Sequence, residues 1–367
     1  MKTNLVCSGC GVTLQSENEQ ELGYIPKSAL DKEHLLCQRC FQIKHYNKNV
    51  TVPLTSDDFL KMISSIHDKE GIVVHLVDIF DVDGTLLPNI RRIVGDKKVF
   101  LVANKIDILP KSTNFNKLMN WLHKTVKDFG LDVEKIFLIS AKSGWYVNDL
   151  AMALEKERKK RDIYVVGVTN VGKSTFINEL IQRSTQMKDA ITTSYFPGTT
   201  LNFIRIPLDK NSAMIDTPGI VNEKQITHYV SKKDLKTIVP RKEIKPRNYQ
   251  LNAEQTLFFG GLARLDFIKG NRQTFVCYFS NELTIHRTKL HKADELYERQ
   301  VGKLLLPPDK ETSENLPKLV KQSYRITEPD TDIVFSGLGW VTIVDSNVTV
   351  EVHYPKGLSV SLRRSFY

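Results

Sequence analysis

The chain lacks any long apolar run: no stretch approaches the roughly 18 residues that a membrane-spanning helix needs, so a membrane-embedded function is excluded from the expectation. Its opening, MKTNLVCSGC, carries one lysine and no apolar segment before Cys7, so neither a secretory nor a lipoprotein signal is expected. The expected compartment is the cytoplasm. Cysteine is scarce as well, with five in 367 residues. In a reducing compartment these do not suggest structural disulfides, and four of them at regular spacing suggest a metal instead. Acid is in deficit, 42 Asp and Glu against 52 Lys and Arg, which leaves a net charge of +10. That balance favours a polyanionic partner without identifying it.

What is present is the material of a folded protein. Hydrophobic residues make up 41% and charged residues 26%, enough to bury a core. The length suits two or three domains. Four textures follow one another: a Cys-rich segment to about residue 50, an alternating strand and helix region to about 220, a basic stretch, and a strand-rich tail. Neither an internal repeat nor a low-complexity tract is visible. In the second region the apolar runs 71–78, 97–104, 134–140 and 162–168 alternate with helical patterns such as FNKLMNWLHKTVKDF, which predicts a mostly parallel sheet flanked by helices. The tail shows RQTFVCYF, TDIVFSG, GWVTIVD, NVTVEVHY and LSVSLRR, with one helical stretch near HKADELYERQVGKLL, and is expected to be β-rich.

Chemistry concentrates in the second region. Gly167-Val-Thr-Asn-Val-Gly-Lys-Ser174 fits the phosphate-loop pattern GxxxxGK[ST], between an apolar strand and a helix-like TFINELIQ. Across Gly167, Asn170, Val171 and Gly172 the loop backbone can turn its N–H groups onto phosphates, Lys173 can reach the β and γ oxygens, and Ser174, followed by Thr175, can ligate Mg²⁺ at the positive end of the helix. Asp216-Thr-Pro-Gly219 ends the apolar strand SAMID. There Asp216 can hold the Mg²⁺ shell through water and the Gly219 N–H can sense a γ-phosphate. YFPGTTLNF between them supplies a further Mg²⁺ ligand, Thr200, with Thr199 the second choice.

Base choice is expected from Asn104-Lys105-Ile-Asp107. A carboxylate at Asp107 can accept from guanine N1–H and the exocyclic amine, a pair that adenine does not offer, so GTP and GDP are expected over adenine nucleotides. Ser140-Ala141-Lys142, at another strand end, matches the loop whose backbone meets guanine O6. Each tetrapeptide is weak alone and strong beside a phosphate loop.

The base motifs precede the phosphate loop, the reverse of an ordinary small GTPase, and rotating the order recovers the usual one. The chain resembles the circularly permuted GTPases. With CSGC at 7–10, CQRCF at 37–41 and FSGLGWVTIV at 335–344, it resembles the YqeH family in particular, over essentially its whole length. That resemblance implies a role in assembly of the small ribosomal subunit, with rRNA or a ribosomal protein as partner. Where many Ras-like enzymes place a water-orienting glutamine, Ile220 stands here, so slow intrinsic turnover is expected. Asn170 is similar to the asparagine of potassium-activated GTPases, where it helps hold K⁺; bracing of the loop turn is the equal alternative.

Cys7, Cys10, Cys37 and Cys40 form two CxxC knuckles 26 residues apart, compatible with a closed tetrahedral Zn²⁺ site of structural kind. His34 and His45 are weaker candidate ligands, and Cys277 is expected in the core. Residues 231–247 carry seven Lys or Arg against Asp234 and Glu243, and are expected as a basic hinge that neutralises RNA phosphates or, alternatively, as a solvated linker. LVDIFDVDGTL resembles the nucleophile motif of haloacid-dehalogenase-type phosphatases around Asp81, but no acidic pair downstream completes it. Asp78 and Asp81 are expected as loop caps. The expected architecture is therefore α/β: a zinc module at 1–50, a circularly permuted P-loop GTPase domain at 51–222, and a basic connector with a β-rich domain for RNA or protein at 223–367.

Overall fold

The computed structural model describes residues 5, 7, 13–18, 23–30, 35–38, 66–88, 90–187, 204–217 and 219–367. Two compact units share them. The first is built from Met1–Asp78, Thr85–Lys105 and His123–Val221, and the second from Ile79–Gly84, Ile106–Leu122 and Asn222–Tyr367.

The first unit holds a six-stranded sheet of β1 (Gly71–Asp78), β2 (Val99–Asn104), β3 (Lys135–Leu138), β4 (Asp162–Val166), β5 (Ile204–Pro207) and β6 (Ala213–Asp216), in the order β3-β2-β1-β4-β6-β5. All neighbours run parallel except β5, which is antiparallel to β6. The sequence GIVVHLVD of β1 is buried at every position, as a parallel strand covered on both faces must be. Ile72, Val74 and Leu76 face a core shared with Val147, Leu150 and Leu154 of α2 (Val147–Arg158) and with Phe176, Ile177 and Leu180 of α3 (Lys173–Met187). The preceding helix, α1 (Phe115–Asp128), buries Leu118, Leu122 and Val126 at the four-residue spacing of one helical face. Asn114 caps it, its Oδ1 accepting from the N–H groups of Asn116 and Lys117 at 3.0 and 3.1 Å. Parallel pairing gathers the C-terminal ends of β1, β2 and β4, and this is where the phosphate-loop and base motifs lie.

The second unit contains two five-stranded antiparallel sheets. The first has the order β16 (Val360–Arg364), β13 (Thr331–Phe335), β14 (Gly339–Ile343), β10 (Gln273–Phe279), β7 (Arg247–Leu251); the second runs β11 (Ile285–Lys289), β8 (Gln255–Phe259), β9 (Ala263–Lys269), β15 (Val348–Pro355), β12 (Leu319–Ile326). Their inner faces meet through aromatic rings, Phe259 on Phe279 at 4.3 Å and Phe267 against Phe275 at 5.1 Å between centroids. Cys277 lies in this core, where burial pushes its thiol pKa up, so it behaves as a small apolar residue.

The outer face of the first of these sheets is also covered. Trp340 stacks on Tyr278 at 4.9 Å and meets Phe80 at 5.7 Å, while the Arg363 guanidinium lies over Trp121 at 5.0 Å and donates from Nε to Asp332 Oδ2 at 3.1 Å. Trp121 Nε1 donates to the Arg364 carbonyl at 2.9 Å, and the Ile244 N–H donates to the Ile108 carbonyl at 2.8 Å. The excursions that follow β1 and β2 in the chain are thus structural parts of the second unit. Burying one such ring contributes roughly 2–3 kcal/mol, against about 0–1 kcal/mol for an exposed pair such as Arg299–Glu295. Aromatic burial, more than surface charge, fixes these segments.

Residues 231–247 open with a helix and close at a strand, with 239–246 in neither. Ser231 caps α4 (Lys232–Ile238) by accepting from the Asp234 N–H, and the stretch runs on into β7. Asp234 is buried and accepts from Ser231 Oγ at 3.0 Å, and Glu243 accepts from the Lys111 N–H at 2.9 Å. Asp234 is thus used inward and Glu243 at the surface, while Lys232, Lys233, Arg241 and Lys242 are exposed.

His75, in mid-β1, is fully buried, and burial lowers its pKa to about 4 against the weaker pull of the Thr85 backbone. The unfolded chain, with a histidine pKa near 6.5, binds this proton first, so stability must fall as pH drops through 6.5 toward 4. The expected loss between pH 7 and pH 5 is about 2 kcal/mol from this group. Urea unfolding of the wild type and His75→Leu across that range should show the difference, and parallel pH profiles would remove His75 as its cause.

Candidate functional site

The phosphate-loop residues 167–172 join β4 to α3, whose first turn begins at Lys173 and holds Ser174 and Thr175. Gly172 takes a φ of +95°, and a Cβ there would lie 2.5 Å from Asn104 Nδ2, so the loop needs glycine both for its turn and for this approach. Asn170 also has a positive φ, +67°, which asparagine tolerates better than most residues. Lys173 is buried, and its Nζ donates to the Gly167 and Val168 carbonyls at 2.9 and 3.3 Å. Burial lowers its pKa to about 8, and the negative charge of Asp216 opposes that shift.

Asn104, at the end of β2, is the junction of the motifs. Its Nδ2 donates to the Val171 carbonyl at 2.9 Å and its Oδ1 accepts from the Ala141 N–H at 2.9 Å. One buried amide therefore ties the phosphate loop to the Ser140–Lys142 loop. Lys105 follows with a φ of +72°, and its Nζ donates to Asp78 Oδ2 at 2.5 Å and to the Asn170 carbonyl at 2.6 Å. Its alkyl stem and charge lie along the phosphate loop. Asp107 comes two residues later, in the 3-10 turn Ile106–Ile108. Ser140 is buried and its Oγ accepts from the Ser143 N–H at 3.0 Å, which shapes the loop, while Lys142 is exposed.

The Asp216–Gly219 segment is docked on the same loop. Thr217 donates from both N–H and Oγ1 to the Val165 carbonyl, the Thr169 N–H donates to the Ile220 carbonyl at 2.8 Å, and the Ile220 N–H donates to the Gly167 carbonyl at 3.3 Å. Gly219 is carried to the phosphate loop by these bonds. The Ile220 side chain packs on the first unit's core.

Of the cysteines, histidines and threonines expected as metal ligands, only Cys7 and Cys37 fall on described residues. Cys7 and Cys37 are buried beside each other with Leu14 and Leu36, and the Cys37 N–H donates to Cys7 Sγ at 3.2 Å. Cys10, Cys40, His34, His45, Thr199 and Thr200 lie outside the described residues.

Comparison with known proteins decides the family. Residues 272–366 match the family described as YqeH-like, C-terminal, and residues 162–256 match the family described as 50S ribosome-binding GTPase. YqeH of Bacillus subtilis is 51% identical over 98% of this chain and 99% of its own. The chain belongs to the YqeH family of circularly permuted GTPases. Nitric oxide-associated protein 1 of Mus musculus is 25% identical over 98% of this chain and 75% of its own, and GTPase Der of Aquifex aeolicus is 30% identical over 46% of this chain and 40% of its own. Like its family, this YqeH-family protein binds guanine nucleotide and hydrolyses GTP. Among its described residues no helix is long and apolar enough to cross a membrane.

Two aspartates of the phosphatase-like segment have other occupations. Asp81 is buried and accepts from the Gly84 N–H, Gln225 Nε2 and Ser336 Oγ, so its oxygens are engaged by the second unit's own groups rather than open for attack on phosphate. It is a loop cap, as expected. The Asp78 carboxylate pairs with Lys105. Its register opposite Asn104 on adjacent parallel strands is the signal that links it to the base motif.

Because burial lowers the Lys173 pKa to about 8, affinity for a triphosphate should weaken as pH rises through that value, the neutral amine losing its charge-assisted bonds. Binding of a fluorescent GDP or GTP analogue between pH 7 and pH 9.5 should show the fall in the wild type and a flat, much weaker profile in Lys173→Ala. A pH-independent wild type would leave Lys173 fully charged throughout.

Proposed function

We propose that this protein is an Mg²⁺-dependent GTPase of small ribosomal subunit assembly. The single observation that supports this best is the double tie of Asn104, which brings a phosphate loop and a Ser-Ala-Lys loop to one asparagine of an Asn-Lys-x-Asp motif. In this proposal Gly167, Asn170, Val171, Gly172 and Thr175 shape the phosphate cradle, Lys173 neutralises the β and γ oxygens, and Ser174 and Thr200 ligate Mg²⁺ with Asp216 acting through water. Gly219 senses the γ-phosphate. Asn104, Lys105 and Asp107, with Ser140, Ala141 and Lys142, select guanine. The bound metal supplies charge neutralisation at the transferring phosphoryl group.

Ile220 leaves the attacking water without an amide to hold it, so intrinsic hydrolysis is slow and a K⁺ held beside Asn170 assists it. The same packing of Ile220 supports the second reading, a nucleotide-gated RNA-binding switch with little turnover of its own. The thiolates of Cys7 and Cys37, drawn together by the N–H to Sγ bond, have the chemistry of half a zinc site that Cys10 and Cys40 complete. Residues 1–50 then form a zinc module, 51–222 the GTPase domain and 223–367 the domain that meets RNA or ribosomal protein, in the cytoplasm. Lys232, Lys233, Arg241 and Lys242 supply phosphate contacts there, and affinity falls steeply with salt.

Two measurements test the proposal. Asp107→Asn should move base preference from GTP toward xanthosine triphosphate, because the amide donates where the carboxylate accepted; unaltered GTP preference would remove Asp107 from base selection. Sedimentation with 30S and 50S particles, under GDP and a non-hydrolysable GTP analogue, should show nucleotide-dependent binding to 30S that weakens when Lys232, Lys233, Arg241 and Lys242 are all replaced by Ala. Binding to 50S alone would transfer the activity to the large subunit. Stimulated multiple turnover with 30S would favour the enzyme over the switch.

A further inference from the structure

The helix that starts at the phosphates also grips the base loop. α3 runs from Lys173 to Met187, and Arg183 stands nine residues past Ser174, or roughly 13 Å along the axis at 1.5 Å per residue. Each of its three guanidinium nitrogens donates one hydrogen bond. Nε donates to Glu179 Oε1 at 2.6 Å, Nη1 to Asn148 Oδ1 at 2.7 Å, and Nη2 to the Gly144 carbonyl at 3.1 Å. The side chain is about three-quarters buried, at 27% exposure, so these bonds are shielded from competing water. Gly144, with φ at +73°, accommodates the contact: a Cβ there would lie 2.1 Å from Arg183 Nη2 and 2.9 Å from Glu179 Oε1. The backbone of this loop and the arginine are shaped to each other.

The loop from Ser140 to Gly144 is thereby held at both ends. Asn104 fixes its start through the Ala141 N–H, and Arg183 fixes its end through the Gly144 carbonyl and through Asn148 in the first turn of α2. Between those anchors Lys142 and Ser143 are exposed. We propose that Arg183 is a positioning residue for guanine recognition: it sets the height of the Ser140–Gly144 backbone against the base, using the helix that cradles the phosphates as its ruler. This rests on the reading of the Ser-Ala-Lys loop as the contact for guanine O6. A fork of three nitrogens does this where a lysine cannot, since the ammonium lacks the planar spread to reach a carbonyl and an amide oxygen together.

The bland alternative is a brace between α2 and α3 that matters only for stability. Base-dependent binding separates the two. In Arg183→Ala, competition against a fluorescent GDP analogue should show GTP affinity reduced roughly tenfold, the value of one lost charge-assisted hydrogen bond. ATP affinity should change little, so that GTP preference over ATP shrinks by about the same factor, and inorganic tripolyphosphate, which has no base, should compete as it does in the wild type. KM for GTP should rise with kcat at saturation held within about twofold. Arg183→Lys, which keeps the pairing with Glu179, should restore thermal stability without restoring GTP preference. Equal losses for GTP, ATP and tripolyphosphate, or full recovery by Arg183→Lys, would make Arg183 a brace. A wild type with no preference for GTP over ATP would overturn the base-loop reading and this role together, whereas a preference retained in Arg183→Ala would overturn the role alone.

Discussion

The nucleotide end of the first unit depends on one buried amide. Asn104 gives a hydrogen to the Val171 carbonyl and takes one from the Ala141 N–H, both at 2.9 Å, so a residue on β2 joins loops that begin at β4 and β3. An amide is the side chain that can do this, having a donor and an acceptor on one planar group. Aspartate cannot donate to Val171, and an apolar residue would strand both backbone groups in a water-poor site at about 1–3 kcal/mol each. The glycine at 172 follows from the same constraint, since the amide passes where a Cβ would stand. Lys105 then extends the tie by bonding the Asn170 carbonyl while Asp78 balances its charge.

Permutation leaves this constraint intact because hydrogen bonding is indifferent to chain order. The sheet order β3-β2-β1-β4-β6-β5 puts the first strand of the chain at the centre beside the strand of the phosphate loop. What permutation changes is where the chain goes next. After Ile220 it leads into Asn222 and the second unit instead of into another strand of the same sheet. The excursions after β1 and β2 pack in that second unit too, through Phe80 on Trp340 and Trp121 on Arg363. Three segments of chain that leave the parallel sheet thus become parts of the second unit.

Much of this was legible in the sequence, for physical reasons that also mark the boundary. Continuous β-branched runs such as GIVVHLVD define buried parallel strands: β1 matches its run end to end, and β2, β3 and β4 lie within theirs, shortened by one or two residues at one or both ends. The strands of the tail that alternate or run apolar, such as QTFVCYF, are equally plain. Those at 247–251 and 319–326 are not, because RNYQL and LVKQSYRI are edge strands with polar exposed faces and offer little apolar signal. At 231–247 the sequence shows seven cations but not the helix Lys232–Ile238, nor that Asp234 is buried against its capping Ser231.

The site followed the same division. Motif residues were legible because their chemistry dictates type and spacing, from Gly167 through Ser174 and from Asn104 to Asp107. Their supporting contacts were not, because they join residues far apart in the chain: Asp78 with Lys105, and Arg183 with Gly144. Such contacts bear on function in a specific way. A motif residue offers a donor or charge to the ligand, and its partner decides how precisely that group is held before the ligand arrives. The loops around Asn104 gain rigidity from partners that no tetrapeptide contains, and preorganisation of this kind lowers the ordering cost that each bound nucleotide must otherwise meet.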